Sequence, residues 1–296
     1  MSGEPARHPL IEKPYYNRTY SVYVIRTIAL SVINPKIARQ IICNHYHLWK
    51  DSKAPVYHYT EEEQLDIHSI IRNLFQSSNL SVENFEMDRS PIREHITNFL
   101  KELSGKKFPS KAKPYPLDFS LDDNSGLFLY SLCKIIKPKV VLETGVAYGI
   151  SSAHILQALH ENNSGILYSI DSIFRPWETR EMIGAAIPSH LRSNWKLILE
   201  HGKYKYRPYG SSSEKLKEVL SSIGEIDIFI HDSVHSYRNM LYEYESAWPF
   251  IKQRGFLISD DVSANNAFHD FCMKLDSKPL VLRQKKKSLL GILQKP

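Results

Sequence analysis

Two adjacent acidic residues are the first candidates for chemistry in this chain. Asp260 and Asp261 end the apolar stretch GFLISDD, and Asp232 ends another apolar stretch, EIDIFIHD. Three more apolar stretches end in an acid: KVVLE at Glu143, GILYSID at Asp171 and NWKLILE at Glu200. Neighbouring carboxylates repel each other unless a cation or hydrogen-bond donors lie between them. If folding brings these acids together, they could hold a cation or a cationic ligand.

A structural use for the same acids stays open. Asp and Ser at the end of a strand often cap the helix that follows, by accepting a hydrogen bond from its first turn. Capping explains Glu200 well, but it explains Asp260 followed at once by Asp261 less well, because adjacent carboxylates on a crowded acidic edge repel each other.

A glycine-containing stretch follows the first of these apolar runs. Residues 140–152 read VVLETGVAYGISS, and the helical pattern AHILQAL comes directly after them. The order is therefore strand, glycine loop and helix. Dinucleotide-binding loops read G-x-G-x-x-G, whereas this loop reads E-x-G-x-x-x-G and carries an acid that would repel phosphate. The loop favours a cationic or neutral nucleoside.

The elements that must position these residues form a regular series. The five apolar stretches read as buried parallel strands joined by helices or loops, and the tail PLVLRQKKKSLLGILQKP reads as two strands around a basic turn. We predict an α/β fold with a doubly wound, Rossmann-like sheet, mostly parallel with a C-terminal antiparallel hairpin strand. In such a sheet all the parallel strands end at one crevice, where the acids would converge.

A change in composition separates an N-terminal region from this sheet. The stretch KFPSKAKPYPLDFSLDD is rich in proline and lysine. Before it, QLDIHSIIRNLF and REHITNFLKEL show helical spacing of apolar residues. We predict a helical and loop-containing accessory region over residues 1–115, which could cap a substrate, and a cofactor-binding domain over residues 116–296.

Composition narrows the class of protein. The 296 residues carry a formal net charge of +6, and the lysines concentrate in loop-like runs, so we expect no nucleic-acid partner. Three widely spaced cysteines predict no disulfide framework and a reducing, cytoplasmic location. The apolar segment YSVYVIRTIALSVIN is short and contains Arg26, which predicts no membrane span. Peripheral membrane association and a homo-oligomer stay open.

The glycine loop and the strand pattern resemble class I S-adenosylmethionine-dependent methyltransferases, over about residues 120–296. The resemblance implies that Glu143, Gly145 and Gly149 border the methionine part of the cofactor and that Asp171 accepts hydrogen bonds from the ribose hydroxyls. It places the remaining cofactor contacts at Ala147, Tyr148, Ser151 and Asp232. Tyrosines near loops are more often packing groups, and an NAD-binding domain would use an acid like Asp171 in the same way.

Two motifs are similar to those of metal-assisted O-methyltransferases of the catechol and caffeoyl type and their relatives that act on sugars and antibiotics. They are HDSVHSY at 231–237 and LISDDV at 257–262. The resemblance implies metal ligation by Asp232, Asp260 and Asp261, although the third ligand is often asparagine in the catechol type. Oxygen ligands suit Mg²⁺ or a similar divalent cation. The implied acceptor is the hydroxyl of a small molecule.

His235 is the candidate base. It lies three residues after Asp232, where the catechol type has a lysine, and its ordinary pKa suits proton transfer near neutrality. A structural hydrogen bond at a helix start is an equally weighted alternative, and we expect His231 to be structural. With Asp232, His235 forms the predicted catalytic pair. A metal-independent methyltransferase and an NAD-using protein remain the alternative functions.

Overall fold

The computed structural model describes residues 39, 42, 46, 49–51, 53–76, 80–117, 121–173, 177–200, 214–284 and 288–296. The strands are β1 (Gln64–Leu65), β2 (Val140–Thr144), β3 (Ile166–Ser172), β4 (Trp195–Glu200), β5 (Ile226–His231), β6 (Ile251–Ser259), β7 (Leu280–Arg283) and β8 (Leu289–Gln294). The α-helices are α1 (Ile67–Phe75), α2 (Val82–Asp88), α3 (Ser90–Ser104), α4 (Asp123–Ile136), α5 (Ile150–Glu161), α6 (Glu214–Ile223), α7 (Tyr237–Ala247) and α8 (Ala267–Lys274). Short 3₁₀ turns lie at Arg180–Met182, Ser189–Asn194 and Trp248–Phe250.

The strands form one sheet in the order β1-β7-β8-β6-β5-β2-β3-β4. Strand β8 runs antiparallel to both β6 and β7, and the other pairs are parallel. Strand β2 pairs with β3 on one side and with β5 on the other, so the direction of winding reverses there. Such a reversal opens a crevice at the carboxyl ends of the two strands. The predicted doubly wound sheet with an antiparallel C-terminal hairpin strand is confirmed.

Apolar residues on successive positions of β2 pack on opposite faces of the sheet. Val141 joins a cluster that includes Leu129 of α4 and Ile155 of α5, whereas Leu142 joins a cluster that includes Met240 of α7 and Phe271 of α8. Both faces are therefore covered, which is why the central strands read as continuous apolar runs.

The N-terminal helices pack on the same side of the sheet as α4 and α5. Ile70 of α1 and Ile96 of α3 belong to the apolar cluster that contains Ile155. The buried guanidinium of Arg89, between α2 and α3, pairs with Glu86 at 2.6 Å and with Asp123 of α4 at 2.9 Å. These contacts attach the N-terminal helices to the sheet domain.

Among the described residues, no helix has both the length and the apolar character needed to cross a membrane. Cys133 and Cys272 are buried free thiols. The apolar segment around Arg26 and the third cysteine, Cys43, lie outside the described residues.

Candidate active site

The glycine loop lies between β2 and α5, and it fits closely against the end of β5. Gly145 has φ +84°, and a Cβ there would lie 2.0 Å from the carbonyl oxygen of Asp232. Gly149 has φ +82°, and its Cβ would meet the Cα of Gly184 at 2.8 Å. Only glycine combines this backbone conformation with such close approach. Ala147, between them, is also left-handed, with φ 46°.

Glu143 lies beneath the loop, fully buried. Its carboxylate accepts hydrogen bonds from the hydroxyls of Ser151 at 3.2 Å, Ser169 at 2.6 Å and Ser152. Burial raises the pKa of Glu143 to about 7, although the serine hydroxyls oppose the rise. Two predicted cofactor residues, Glu143 and Ser151, therefore contact each other and join β2 to α5.

Asp171 holds the loop from the end of β3. Its Oδ2 accepts hydrogen bonds from the backbone N–H groups of Val146 and Ala147, both at 3.0 Å, and its Oδ1 accepts from Ser172 N at 2.6 Å. Burial raises the pKa of Asp171 to about 6, against the effect of these hydrogen bonds. A carboxylate has about four acceptor positions, so capacity remains for a ligand hydroxyl.

The side chain of Tyr148 packs against the N-terminal region. Its hydroxyl donates to the carbonyl oxygen of Tyr115 at 2.8 Å, and its ring meets the rings of Phe99 and Tyr115 edge to face. This arrangement leaves the backbone of Tyr148 as the part available to a cofactor.

An acidic group with one histidine lies where β5 and β6 end. This group consists of Asp232, His235 and Asp260. Each residue has one potential ligand atom, a carboxylate oxygen or a ring nitrogen, and the three atoms lie within 4.8 Å of one another. Asp261 lies beside this group, with its Oδ2 3.3 Å from His235 Nδ1. Burial raises the pKa of Asp232 well above its ordinary range, and Asp260 and Asp261 raise it further.

Gln284 contacts the same group from the end of the hairpin strand β7. Its side-chain amide donates to Asp260 Oδ1 at 2.8 Å. Burial and the neighbouring Asp261 raise the pKa of Asp260 to about 6, while His235 and Gln284 oppose the rise. Gln284 was not among the predicted site residues. It begins the basic run QKKKS, and no motif there indicates a binding or catalytic role.

A buried ion pair supports the loop that carries Asp232 and His235. The Nδ1 atom of His231 lies 2.7 Å from Glu243 Oε2 of α7, and both side chains are buried. Glu243 also accepts hydrogen bonds from Thr144 and, at 2.8 Å, from Ser233. Burial alone would raise the pKa of Glu243, but His231 and these hydroxyls hold it below its ordinary value. The structural role expected for His231 fits this geometry.

The strand-end acids divide into two sets. Glu143 and Asp171, like Asp260 and Asp261, are close enough to raise the pKa of Asp232 electrostatically, so these acids converge on one region. Glu200 does not belong to it, because its carboxylate accepts from the backbone N–H of Lys215 at 2.8 Å, in the first turn of α6. Glu200 is a helix cap, as the structural alternative predicted.

Comparison with solved structures relates this arrangement to known proteins. An O-methyltransferase from Bacillus cereus, solved with SAH, matches with a TM-score of 0.50 at 13% identity, over 68% of this chain and 91% of that chain. The SAH-bound methyltransferase PaMTH1 from Podospora anserina matches with a TM-score of 0.47 at 14% identity, over 82% and 100% of the two chains. TomG from Streptomyces achromogenes, an O-methyltransferase involved in tomaymycin synthesis, matches with a TM-score of 0.48 at 12% identity, over 80% and 100%.

Sequence comparison gives a match to part of the chain. No curated protein sequence matches the chain significantly. Residues 142–262 match the family described as a methyltransferase domain. This match relates that part of the chain, and not the whole chain, to methyltransferase domains. The matched range begins inside β2 and ends just after Asp261, so it contains the glycine loop, Asp171 and the whole acidic group at the ends of β5 and β6.

Proposed function

We propose that the chain transfers a methyl group from S-adenosylmethionine to a hydroxyl of a small molecule such as a sugar, a phenol or a natural product, with the help of a divalent cation. The observation that carries the proposal is the convergence of Asp171, Asp232 and Asp260 beside the glycine loop. A neutral or cationic ligand is compatible with so many buried carboxylates, whereas a pyrophosphate is not.

The cofactor assignment is supported by the loop and its acids. Gly145 and Gly149 let the backbone approach a ligand closely, and Asp171 retains acceptor capacity for a vicinal diol. The positive sulfonium of S-adenosylmethionine suits a pocket lined by carboxylates better than its neutral product does. The similar Bacillus cereus enzyme was solved with SAH, which is that product.

The residues present also fit a divalent cation. Burial raises the pKa of both Asp232 and Asp260; the neighbouring Asp260 and Asp261 add to the rise at Asp232, and Asp261 adds to the rise at Asp260. A cation beside these carboxylates would offset that repulsion. His235 Nε2 is shielded from solvent, and no group among the described residues forms a hydrogen bond with it. Asp232 and Asp260 would hold the ion, and Asp261 or His235 would complete its protein ligands. A bound ion of this kind would lower the pKa of an acceptor hydroxyl and stabilise the resulting oxyanion.

The protein's own part in methyl transfer is alignment and proton handling. The acceptor O–H loses its proton, a C–O bond forms to the methyl carbon and the C–S bond breaks, which yields a methyl ether, S-adenosylhomocysteine and one proton. Holding oxygen, carbon and sulfur in line is a proximity effect worth about 7 to 11 kcal/mol in the best intramolecular models. Asp232 and His235 are the candidate proton acceptors.

The N-terminal region is the proposed wall of the acceptor pocket. Asp51 Oδ2 accepts a hydrogen bond from the backbone N–H of Tyr237 at 3.0 Å, two residues after His235. Tyr57 N donates to the side chain of Asn266, beyond the second acidic motif. Both contacts bring the segment around Asp51 and Tyr57 to the loops that follow β5 and β6, which supports a capping role for the accessory region.

Turnover of an acceptor panel tests the proposal. The chain would be incubated with S-adenosylmethionine and sugars, phenols or natural-product alcohols, and a mass gain of one methyl group would be sought with EDTA and with added Mg²⁺ or Mn²⁺. Methylation that EDTA abolishes and metal restores is the expected result. EDTA-resistant methylation would identify a metal-independent enzyme and refute the metal part of the proposal.

Two variants of strand-end acids test whether metal-dependent turnover depends on the acidic group. Asp260→Ala should lower metal-dependent turnover by at least tenfold, because it removes one proposed ligand. Glu200→Gln changes another strand-end acid, one that caps α6 and lies outside the acidic group, so its turnover should stay within about threefold of the unmodified chain. Equal losses in both variants would show that the acidic group has no special role.

A further inference from the structure

Resting on the proposed function, we propose that His235 is a metal ligand through its Nε2 atom and that Asp261 orients its imidazole from the other ring nitrogen. The centre then has two carboxylates, Asp232 and Asp260, and one nitrogen ligand. This assignment differs from the all-oxygen set of three aspartates and from the role of His235 as the base.

The first argument is the surroundings of the two ring nitrogens. Nδ1 of His235 lies 3.3 Å from Asp261 Oδ2, whereas Nε2 lies 4.0 Å from Asp232 Oδ1, which is too long for a hydrogen bond. With the proton on Nδ1, facing Asp261, the lone pair of Nε2 is directed toward a carboxylate. A lone pair and a carboxylate repel each other unless a cation lies between them.

The second argument is the burial of Nε2. The Nε2 atom of His235 is shielded from solvent, and no group among the described residues forms a hydrogen bond with it. Buried polar atoms normally have a partner, and a water or an ion often supplies one where the protein does not. Nε2 lies 4.0 Å from Asp232 Oδ1, and the imidazole of His235 forms one group with the carboxylates of Asp232 and Asp260, in which one potential ligand atom from each residue lies within 4.8 Å of the others. An ion among these three side chains satisfies all of them.

The third argument is that the backbone on both sides of the group is fixed. The side-chain amide of Asn265 donates to the carbonyl oxygen of His235 at 3.1 Å, which connects the loop after β6 to the loop after β5. Asp232 N donates to Thr144 O, and Asp260 N donates to His231 O, both at 2.9 Å. Asp232 and Asp260 therefore lie directly after strand ends, and Asn265 fixes the loop that carries His235, as a defined metal geometry requires.

The pairing of His235 with Asp261 matches a common arrangement around protein-bound metals. A ligating histidine usually donates its second ring N–H to a carboxylate, which fixes the tautomer and makes the ligating nitrogen more basic. Asp261 has φ 52°, a left-handed conformation that aspartate adopts more readily than most residues, and its carboxylate reaches the imidazole rather than joining the ligand group. Asp261 is then a positioning residue.

A nitrogen ligand changes the metal that the site favours. Mg²⁺ takes oxygen ligands, whereas imidazole with two carboxylates suits Mn²⁺, Fe²⁺, Co²⁺ or Zn²⁺. The centre should therefore bind Mn²⁺ more tightly than Mg²⁺. With His235 occupied, the acceptor proton passes to the second oxygen of Asp232 or to solvent.

Electron paramagnetic resonance with Mn²⁺ tests the ligand directly. The full chain, labelled with ¹⁵N-histidine, would be loaded with Mn²⁺, and spin-echo modulation would be recorded. A nitrogen coupling that changes on labelling is the expected result. A bound Mn²⁺ without any histidine coupling would overturn the proposal and leave the proposed methyltransferase function intact. This measurement needs no variant, so a folding defect cannot obscure it.

Variants then separate a ligand from a base. His235→Ala should weaken Mn²⁺ binding by at least tenfold, and Asp261→Asn should weaken it by about 10- to 100-fold, as loss of an orienting partner does. The control is His68→Ala, which changes an exposed histidine paired with Glu83 and should leave binding unchanged. If His235→Ala retained full Mn²⁺ affinity while kcat fell, His235 would be the base and not a ligand.

A parallel measurement of S-adenosylmethionine affinity shows whether the ligand assignment of His235 fails or the proposed function fails. Retained cofactor binding in His235→Ala, together with lost Mn²⁺ binding, supports the ligand role. Failure of the unmodified chain to bind the cofactor would instead refute the proposed function on which the inference rests.

Discussion

The buried carboxylates of this chain differ in the groups that satisfy them. Glu143 accepts from three serine hydroxyls, and Glu243 is paired with His231. Asp232 and Asp260 instead lie beside other carboxylates: burial, Asp260 and Asp261 raise the pKa of Asp232, and burial and Asp261 raise the pKa of Asp260. A fold tolerates such repulsion where a ligand relieves it, which is why these two residues, and not Glu143, are the centre of the proposed chemistry.

Glu143→Gln should change how stability depends on pH. The carboxyl has an ordinary pKa of 4.5 and a folded-state pKa of about 7, raised by burial. Below pH 4.5 it is neutral in both states; as the pH rises toward 7, only the unfolded chain releases the proton, so the folded state loses stability. The neutral glutamine avoids this loss.

Urea unfolding at several pH values measures the effect. Relative to the unmodified chain, Glu143→Gln should gain free energy of unfolding between pH 5 and pH 8, by up to about 3 kcal/mol. If the difference in free energy of unfolding between the two chains did not vary with pH, Glu143 would be ionised in the folded protein.

At the scale of elements, contacts with neighbouring strands and helices fix the positions of the loops after β2 and β5. The glycine loop after β2 fits against the end of β5 at Gly145, and Asp171 holds the same loop from β3. Helix α7 fixes the loop after β5 through Glu243. Distortion of any one of these contacts should move ligand-binding groups that lie on another element.

Gly145→Ala tests the contact between β2 and β5. A Cβ would lie 2.0 Å from the carbonyl oxygen of Asp232, so the loop must move, and S-adenosylmethionine affinity should fall by at least tenfold. Gly224→Ala is the matched control, since Gly224 has a similar φ of +73° but open space around its Cβ position. Calorimetric titration should show unchanged affinity for this control, with a stability loss of about 1 kcal/mol. Unchanged cofactor affinity in Gly145→Ala would argue against a cofactor site at this loop.

Glu243→Ala tests the support from α7. Removing one partner of a buried ion pair leaves the other uncompensated and destabilises proteins by about 3 to 5 kcal/mol. Glu245→Ala, on the same helix, breaks a pair with Lys274 in which both side chains are largely exposed, and it should change stability by less than about 1 kcal/mol. Similar losses in both variants, measured by urea unfolding, would contradict the support assigned to Glu243.

At the scale of the whole molecule, periodicity and strand-end residues predicted the sheet, its hairpin and the convergence of acids. The sequence could not predict that Gln64 and Leu65 pair with β7, because two residues form no pattern and their partners lie more than two hundred positions away. It also gave no sign that Glu243 pairs with His231 or that Asp261 contacts the imidazole of His235. These contacts depend on the tertiary positions of side chains, which local spacing does not encode.

We propose that acids from separate strands form one pocket for a sulfonium nucleoside, and calorimetric titration with S-adenosylmethionine tests this pocket most directly. We expect one bound molecule per chain, no binding of NAD, and a loss of at least tenfold in affinity for Asp171→Ala. Binding of NAD in preference to S-adenosylmethionine, or no binding of S-adenosylmethionine at all, would show that the acids do not form such a pocket.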